Sequence, residues 1–485
     1  MINCFIPYST KDSVSQTIAS LKKCSQLTSI FLLYTDVKPN FADVELIKVS
    51  DLHSTKTLRL LASYATAPYS LLYTKQTPLL LGQYALERFL QVAADTQAGI
   101  VYADYYQSLN GEITPLPTIE YQLGSLRDDF TFGSVFFLDT KVFKLTVDSM
   151  QTEYRFAGLY DFRLKVAKNH RLFHINEFLY TEIEQDSRKS SEKQFDYVDP
   201  KNRKVQMEME QACTDYLKDI GAYLKPEFTA VQFDMNVFPV EASVIIPVRN
   251  RATTIADAIH SVLIQQTDFI FNLIVVDNFS TDGTTEIIKN LAEQDARILL
   301  LNPSRTDLGI GGCWNEGVHH VQCGKFSVQL DSDDVYAHPL VLQTIVNGFY
   351  EQQCAMLIGT YTMTNFALET IPPGIIDHRE WTVENGRNNA LRINGLGAPR
   401  AFYTPILRKY KVPNTSYGED YALGLRFSRK YLIGRIYDSL YYCRRWEDNS
   451  DASLDIQKIN GYNLYKDKLR SSEILARQAL VLRKG

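Results

Sequence analysis

The sequence predicts an α/β protein of two tandem domains, each built on a mostly parallel sheet, joined by a helical linker. Each half opens with a short apolar run ending in proline, then a polar turn, then apolar residues at helical spacing, at 3–21 and 243–263. Strands that alternate with helices in this way build parallel sheets. Two further apolar strands follow in the same order in each half, at 29–34 and 68–79 and again at 272–277 and 325–336. The repeat spans about half the chain, which predicts a duplicated domain rather than a solenoid.

Composition and charge limit the class of protein. Hydrophobic residues make up 45% of the 485 positions and charged residues 22%, which is typical of globular domains. The net charge of −5 leaves no electrostatic footprint for nucleic acid, so we expect no nucleic-acid partner. The seven cysteines are scattered and never form a C-x-x-C pair, which argues against a disulfide framework or structural zinc and favours a reducing compartment.

The sequence also bears on localisation. No apolar run reaches the roughly 18 residues that a membrane helix needs, and the first residues lack a secretion signal. We therefore expect a cytoplasmic protein. Peripheral contact with the inner face of the membrane carries no sequence mark and stays open.

The two halves are separated by a predicted linker at 186–240. Its first part is polar and rich in turn residues, whereas 205–224 carries apolar residues at helical spacing and ends near Gly221. The predicted domains are therefore 1–185 and 241–485.

Polar residues follow the first two strands of the second half. Pro247, Arg249 and Asn250 come at the carboxyl end of the first strand, where open α/β sheets bind their ligands. Asp277 ends the second strand, where a carboxylate can accept from a base or a ribose hydroxyl. Asp282, in the turn that follows, is better explained as a helix cap. These residues predict a nucleotide pocket.

A glycine-rich stretch at 302–318 precedes the third strand. Its glycines permit close backbone approach to a bound group, and Asn315 follows near the same cleft. Because the stretch does not follow the first strand of the sheet, it is not the dinucleotide fingerprint.

The third strand ends in the acidic run Asp331-Ser332-Asp333-Asp334. Neighbouring carboxylates repel one another unless a cation offsets them, and a hard divalent cation with open positions can also grip phosphates. The alternative is a solvated acidic turn that caps a helix. The position after a hydrophobic strand favours the metal site.

Two later pairs of charged residues also stand out in the second half. Glu419 and Asp420 open an amphipathic helix, although acidic residues there also simply favour the helix dipole. Arg444 and Arg445 follow an apolar strand and suit a diphosphate, with a solvated basic pair as the alternative. The long loop 371–400 is a plausible acceptor lid or an ordinary surface loop.

Taken in order, the motifs resemble the GT-A glycosyltransferases of family 2 from residue 241 to about 450. The matching features are SVIIPVRNR, VVDNFSTDGT, the glycine-rich stretch that contains Asn315, the DXD-containing LDSDD, GEDY and the late arginine-rich loop. The resemblance implies two GT-A-like, Rossmann-like domains and an inverting hexosyl- or N-acetylhexosaminyl-transferase. It implies a nucleotide-sugar donor, most often UDP-linked, with Mn²⁺ or Mg²⁺. The acceptor would be a hydroxyl of a glycan or lipid-linked molecule, in surface polysaccharide or glycoconjugate assembly.

The resemblance also implies a role for each matching residue. Asp420 would be the general base, with Glu419 orienting it or touching the acceptor, and Trp446 would line the acceptor side. Trp381 is an acceptor-side candidate from its position in the loop 371–400 alone. Trp446 departs from the many relatives that carry a histidine there, so the metal would rely on aspartate, diphosphate and water, or else Trp446 would line an acceptor channel. The donor-side residues are Pro247, Asn250, Asp277, Asn315 and Asp331, with Asp333 and Asp331 on the metal and Arg444 or Arg445 on the leaving diphosphate. Arg249 departs from the family, which more often has an aromatic or small residue there, and is a donor-side candidate from its position at the end of the first strand.

The first half resembles the same fold with its chemistry lost. Tyr34 stands where Asp277 stands in the second half, and Thr74-Lys75-Gln76 replaces the acidic run. Tyr160-Asp161 only weakly echoes the later Glu-Asp pair. We therefore expect 1–185 to be non-catalytic. Alternatives are a dual-domain polysaccharide polymerase, a scaffold that binds sugar nucleotides or glycans without turnover, and a sugar nucleotidyltransferase, which PVRNRATT disfavours because it lacks glycine.

Overall fold

The computed structural model describes residues 1–184, 202–233, 238–446 and 454–483. The chain forms two compact units, Met1–Tyr223 together with Leu454–Gly485, and Leu224–Ser453. Within the predicted linker, residues 186–201 and 234–237 lie outside the described residues. No helix in the described parts of the chain is long and apolar enough to cross a membrane.

The first unit contains nine strands and seven helices among its described residues. The strands are β1 (Ile2–Pro7), β2 (Leu27–Tyr34), β3 (Glu45–Lys48), β4 (Tyr69–Tyr73), β5 (Leu79–Leu81), β6 (Ile100–Leu109), β7 (Glu112–Leu116), β8 (Val135–Asp139) and β9 (Leu172–Ile183). The helices are α1 (Lys11–Leu21), α2 (Thr55–Tyr64), α3 (Ala85–Thr96), α4 (Thr140–Ser149), α5 (Gly158–Asn169), α6 (Arg203–Asp219) and, from the end of the chain, α14 (Ile456–Leu482).

The second unit repeats this plan. Its strands are β10 (Ala242–Val248), β11 (Phe271–Asp277), β12 (Ile298–Leu301), β13 (Phe326–Gln329), β14 (Val335–Tyr336), β15 (Met356–Thr364), β16 (Thr370–Ile376), β17 (Arg400–Tyr403) and β18 (Ile433–Arg444). Its helices are α7 (Ile255–Leu263), α8 (Thr284–Gln294), α9 (Ile310–His319), α10 (Val341–Gln352), α11 (Gly386–Asn389), α12 (Thr404–Tyr410) and α13 (Glu419–Ser428).

The two sheets have the same strand order, which confirms the predicted tandem α/β architecture. The first runs β3-β2-β1-β4-β8-β6-β9-β5 and the second β12-β11-β10-β13-β17-β15-β18-β14, with β7 and β16 paired to β6 and β15. The opening strands pair in parallel, as in β10 with β11 and β13. The strands that follow include antiparallel pairs, such as β13 with β17. Each sheet is therefore mixed rather than mostly parallel.

The first strand of each unit shows why these segments fold as central strands. β1 is buried along its whole length. Its side chains alternate between two hydrophobic clusters, with Ile2, Cys4 and Ile6 in one and Phe5 in the other. Successive residues of a strand point to opposite faces, so a strand covered on both faces has a continuous apolar sequence.

The last helix, α14, belongs to the first unit, whereas the sequence predicted that 241–485 form one domain. Asp467 and Arg470 of this helix are completely buried. The Asp467 carboxylate accepts from the Ser125 hydroxyl at 2.9 Å and lies 3.4 Å from Arg127 Nε. A Cβ atom added at Gly124 would lie 2.1 Å from the Asp467 carbonyl oxygen, so the helix seats directly on this segment. The order of the elements along the chain cannot reveal that the last helix packs on the first unit, because this packing depends on contacts between residues more than 300 positions apart.

Candidate active site

One cleft in the second unit lies at the carboxyl ends of β10 and β13. It has an empty volume of about 830 Å³. Pro247, the acidic residues Asp331 and Asp333, and the pair Glu419 and Asp420 all line it. Parallel strands bring their carboxyl ends to one edge of a sheet, which is why residues far apart in sequence meet here.

The acidic run forms a tight turn held by β18. Asp331 accepts from the Gln329 side-chain amide at 2.9 Å, and its N–H donates to the Tyr441 hydroxyl at 3.1 Å. Asp334 is turned towards β18, where its carboxylate accepts from the Arg444 N–H at 2.8 Å. Asp331 and Asp333 are left to face the cleft.

The carboxylates of this turn repel one another. Burial, and then the neighbouring Asp331, raise the pKa of the Asp333 carboxyl, and Arg251 offsets this in part. The Nε of Arg251 lies 3.7 Å from an Asp333 oxygen. Burial together with the charges of Asp333 and Asp331 raises the pKa of Asp334 well above its ordinary value. The turn therefore has an excess of negative charge that a cation would relieve.

Asp331 and Asp333 fit a hard divalent cation, because they are two carboxylates at one edge of an open cleft. Within the described ranges, no group of three or more His, Cys, Asp and Glu side chains has the geometry of a metal site. Asp331 and Asp333 can supply oxygen ligands of the kind that Mg²⁺ and Mn²⁺ prefer, and such ions commonly complete their shell with water and substrate phosphates.

The second acidic pair starts α13. Its N-cap, Gly418, has a φ of +76°, a conformation that glycine adopts without strain. Burial, and then the charge of Asp420, raise the pKa of Glu419 to about 8. Among the described residues, the buried Oε2 of Glu419 has no hydrogen-bond partner. Asp420 instead lies 3.0 Å from Arg400 Nη1. The two neighbouring carboxyl groups therefore have different environments.

Several predicted donor residues hold loops together near the cleft without lining it. Asp277 is buried and accepts from the Ser280 N–H at 3.1 Å and from the Thr285 hydroxyl. Asn250, at a φ of +54°, accepts from the N–H of Thr281 at 2.8 Å.

Two other predicted donor residues also lie outside the cleft lining. The Asn315 amide both donates to and accepts from the main chain of Val412, at 2.7 and 2.9 Å. Arg249 is exposed after β10.

The late arginines and the tryptophans occupy separate places. Arg444 is buried behind the acidic turn, where its Nε donates to the Asp333 carbonyl at 2.5 Å and its Nη1 to Asp257 at 2.8 Å. Arg445 follows it, half-buried. Trp381 is buried beside a different, smaller cavity. Trp446 is half-buried, with its ring centroid 5.9 Å from that of Phe366. The structure does not bring the two tryptophans into the cleft lining.

Sequence reasoning missed several cleft residues. Arg400 opens β17 and lay unremarked at the end of the predicted lid. Gln329 connects Arg400 to the acidic turn. It lies within an apolar strand, where no sequence signal marks it. One wall of the cleft is apolar and is formed by Ile310, Trp314, Phe402, Val412 and Leu423. Trp314, within the glycine-rich stretch, is the sequence feature that could have indicated this wall.

In the first unit, the position that corresponds to the acidic turn carries a positive charge instead of negative ones. Lys75 lies 2.6 Å from Glu182 and 3.2 Å from Glu184. The pairing of β5 with β9 and of β14 with β18 aligns Glu182 with Tyr442 of the second unit, and two residues later Glu184 with Arg444. A lysine and two glutamates thus replace the acidic run and its arginine.

Comparisons with known proteins identify a family for part of the second unit. The family described as Glycosyl transferase family 2 matches residues 243–410. Glycosyltransferase GlyA of Streptococcus pneumoniae is 30% identical over 25% of this chain and 17% of its own length. TuaG of Bacillus subtilis, a glycosyltransferase named for teichuronic acid biosynthesis, is 31% identical over 25% of this chain and 46% of its own length. This chain therefore matches less than half the length of either relative.

A solved structure also resembles the chain. The crystal structure of S. aureus TarS 1–349 in complex with UDP-GlcNAc is 21% identical, with a TM-score of 0.38, over 49% of this chain and 72% of that one. The family match covers the strands and loops that build the cleft up to α12. Residues 243–410 of this chain therefore carry a glycosyltransferase domain of family 2.

Proposed function

We propose that the second unit transfers a sugar from a nucleotide-sugar donor to a hydroxyl group of an acceptor, with inversion at the anomeric carbon. One observation carries the proposal. The cleft has two cleft-facing aspartates, Asp331 and Asp333, at the ends of the sheet and a second acidic pair, Glu419 and Asp420, on a separate helix. Direct displacement needs a cation beside the leaving diphosphate, which the first pair would hold, and a base for the proton of the attacking hydroxyl, which the second pair would supply.

On the donor side, Asp333 with Asp331 would hold Mn²⁺ or Mg²⁺, which when bound would offset the charge of the diphosphate. Arg444 supports this turn from behind, and Arg445 would add positive charge near the leaving group. Pro247 lines the cleft where the nucleoside would enter. The polar residues Arg249, Asn250, Asp277 and Asn315, around the ends of β10, β11 and α9, would shape that pocket, with UDP as the proposed nucleotide.

On the acceptor side, Asp420 would accept the proton. The acceptor oxygen forms the new bond to the anomeric carbon, the bond from that carbon to the diphosphate oxygen breaks, and the hydroxyl proton passes to the Asp420 carboxylate. Partial burial favours a carboxylate base that faces a hydroxyl. Glu419, with its pKa raised to about 8, is protonated at neutral pH and can donate a hydrogen bond to the acceptor.

The proposed acceptor is a glycan or a lipid-linked molecule, in surface polysaccharide or glycoconjugate assembly at the cytoplasmic side of the membrane. The name of the relative TuaG supports this setting. Trp446, beside Phe366, is the proposed contact for such an acceptor, and Trp381 is proposed to act through the loop around it. We also propose that the first unit is non-catalytic, because Lys75 is engaged by two glutamates where a metal and diphosphate would bind.

The test is calorimetric titration of UDP and GDP, each with and without Mn²⁺. Wild type is compared with Asp333→Ala and with Asp438→Ala, an exposed aspartate of β18 that does not line the cleft. We expect metal-dependent binding of one nucleotide that is lost in Asp333→Ala and kept in Asp438→Ala. Binding that persists in Asp333→Ala would place the site elsewhere, and the absence of binding to both nucleotides would contradict a nucleotide-sugar donor.

A further inference from the structure

Arg400 is a cation set among the carboxylates of the cleft. Its side chain is only 16% exposed. Its Nη1 donates to the carbonyl oxygen of Gly397 at 2.6 Å and lies 3.0 Å from Asp420 Oδ2. The main chain thus fixes the guanidinium, which in turn directs its charge at one oxygen of Asp420. A guanidinium stays charged at all pH values that a protein tolerates, so Arg400 presents a permanent positive charge to this oxygen.

The main chain of Arg400 is also connected to the acidic turn. Its N–H donates to Gln329 Oε1 at 3.1 Å, and Gln329 Nε2 donates to Asp331 Oδ1 at 2.9 Å. Gln329 is buried on β13, next to the turn. Two hydrogen bonds and one ion pair therefore connect Asp331 of the donor side to Asp420 of the acceptor side through Gln329 and Arg400.

The two members of the acidic pair on α13 are held differently. Asp420 is fixed at both oxygens, since Oδ1 accepts from the Tyr421 N–H at 2.7 Å and Oδ2 faces Arg400. The Oε2 of the neighbouring Glu419 has no hydrogen-bond partner among the described residues. A cation thus sets the direction of the Asp420 carboxylate, whereas no cation in the described part of the chain sets that of Glu419.

We propose that Arg400 is a positioning residue that holds the Asp420 carboxylate in the direction needed to accept the acceptor proton. The inference rests on the proposed transfer reaction. Arg400 acts through Asp420 and not on the substrate. Displacing a reacting group by about 1 Å can lower a rate about 100-fold without weakening substrate binding, because the loss falls on the transition-state geometry.

The experiment uses the full chain and the variants Arg400→Ala and Arg400→Lys. The matched control is Arg408→Ala on α12, whose guanidinium donates to the carbonyl oxygens of Val318 and His320 and does not line the cleft. Turnover is measured as UDP released from UDP-glucose and from UDP-N-acetylglucosamine with Mn²⁺. We expect Arg400→Ala to lower kcat about 100-fold while KM stays within about threefold. Added guanidinium should restore part of kcat, Arg400→Lys should keep more of it than Arg400→Ala, and the control should keep nearly all.

Other results would overturn the proposal. Unchanged kcat in Arg400→Ala would show that Asp420 needs no such partner. A large rise in KM with kcat kept would make Arg400 a donor ligand. Loss of kcat with no rescue by guanidinium, together with a matching fall in melting temperature, would show a purely structural role.

A second measurement does not depend on turnover. If wild type releases no UDP from either sugar nucleotide, the proposed transfer from these donors fails. The pairing is then still tested by the melting temperatures of Arg400→Ala, Asp420→Ala and the double variant. Non-additive shifts support the contact between Arg400 and Asp420, and additive shifts overturn the proposal.

Discussion

Replacing Lys75 with methionine should destabilise the first unit strongly. Lys75 is the cation for Glu182, whose side chain is 2% exposed, and it also pairs with Glu184. Removing one partner of a buried ion pair costs about 3–5 kcal/mol, because the other charge is left buried without compensation. The Lys75 side chain is 32% exposed, so water screens part of this loss. We therefore expect a loss of about 2–4 kcal/mol in the free energy of unfolding.

The pH for this measurement follows from the linkage. Burial lowers the pKa of Lys75, and the charges of Glu182 and Glu184 raise it by more, so that it ends above its ordinary value. A raised lysine pKa contributes stability that is complete below the unfolded pKa and is lost only as the pH rises through the folded pKa. At pH 7 the whole contribution is present.

The two units can be followed separately because all three tryptophans lie in the second. They are Trp314, Trp381 and Trp446, so tryptophan fluorescence during urea unfolding reports on the second unit, while far-ultraviolet circular dichroism reports on both. In Lys75→Met, the circular dichroism transition should move to lower urea, and the tryptophan transition should stay in place.

The control is Lys22→Met, which removes an exposed pair with Asp43 and should cost less than about 1 kcal/mol. Adding Glu182→Leu to Lys75→Met should recover much of the stability, because the uncompensated charge is removed with its partner. A Lys75→Met variant no less stable than Lys22→Met would refute the reasoning that Lys75 compensates the buried charge of Glu182.

Three further predictions concern single side chains. Burial raises the pKa of Asp161 to about 6, so the first unit should lose stability as the pH rises from about 4 to 6. In circular dichroism melts at pH 7, Asp161→Asn should be more stable than wild type by up to about 3 kcal/mol. Equal stability of the two proteins at pH 7 would contradict this. Glu419 has its pKa raised to about 8 by burial and by Asp420, so stability of the second unit should fall between about pH 4.5 and 8. Tryptophan-detected melts of Glu419→Gln should show a weaker pH dependence, and an unchanged slope would exclude Glu419 as its source. Asn315→Ala removes both hydrogen bonds to the main chain of Val412 and should lower the free energy of unfolding of the second unit by about 1–3 kcal/mol. Urea unfolding followed by tryptophan fluorescence measures this loss, and an unchanged midpoint would show that the two hydrogen bonds do not stabilise the unit.

Much of the architecture was readable from the sequence because it depends on local patterns. The apolar runs at 3–7 and 243–248 end in or near proline and a polar turn, and both fold as the central strand of a sheet. The acidic run after β13 was recognisable for the same reason, since strand, turn and carboxylates are adjacent in the chain. Its meeting with Glu419 and Asp420 was implied by the family resemblance alone, since these two residues open a helix and do not follow a parallel strand.

Other features were decided only by contacts between distant residues. Arg400 meets Asp420, and Lys75 meets Glu182, through sheet pairing that no local pattern records. Helix α14 returns to the first unit because its buried Asp467 is satisfied by Ser125 and Arg127, far away in the chain.

The sequence by itself therefore determined the two α/β sheets and the residue types around one cleft, because apolar periodicity and turn chemistry act over a few neighbouring residues. Tertiary structure alone decided which charges are paired. Asp277 holds the loop after β11, and Asn315 binds the main chain of Val412. Arg400, in contrast, lines the cleft. The physical reason is that a charge or amide finds its partner by distance in space, and the fold brings that partner from anywhere in the chain.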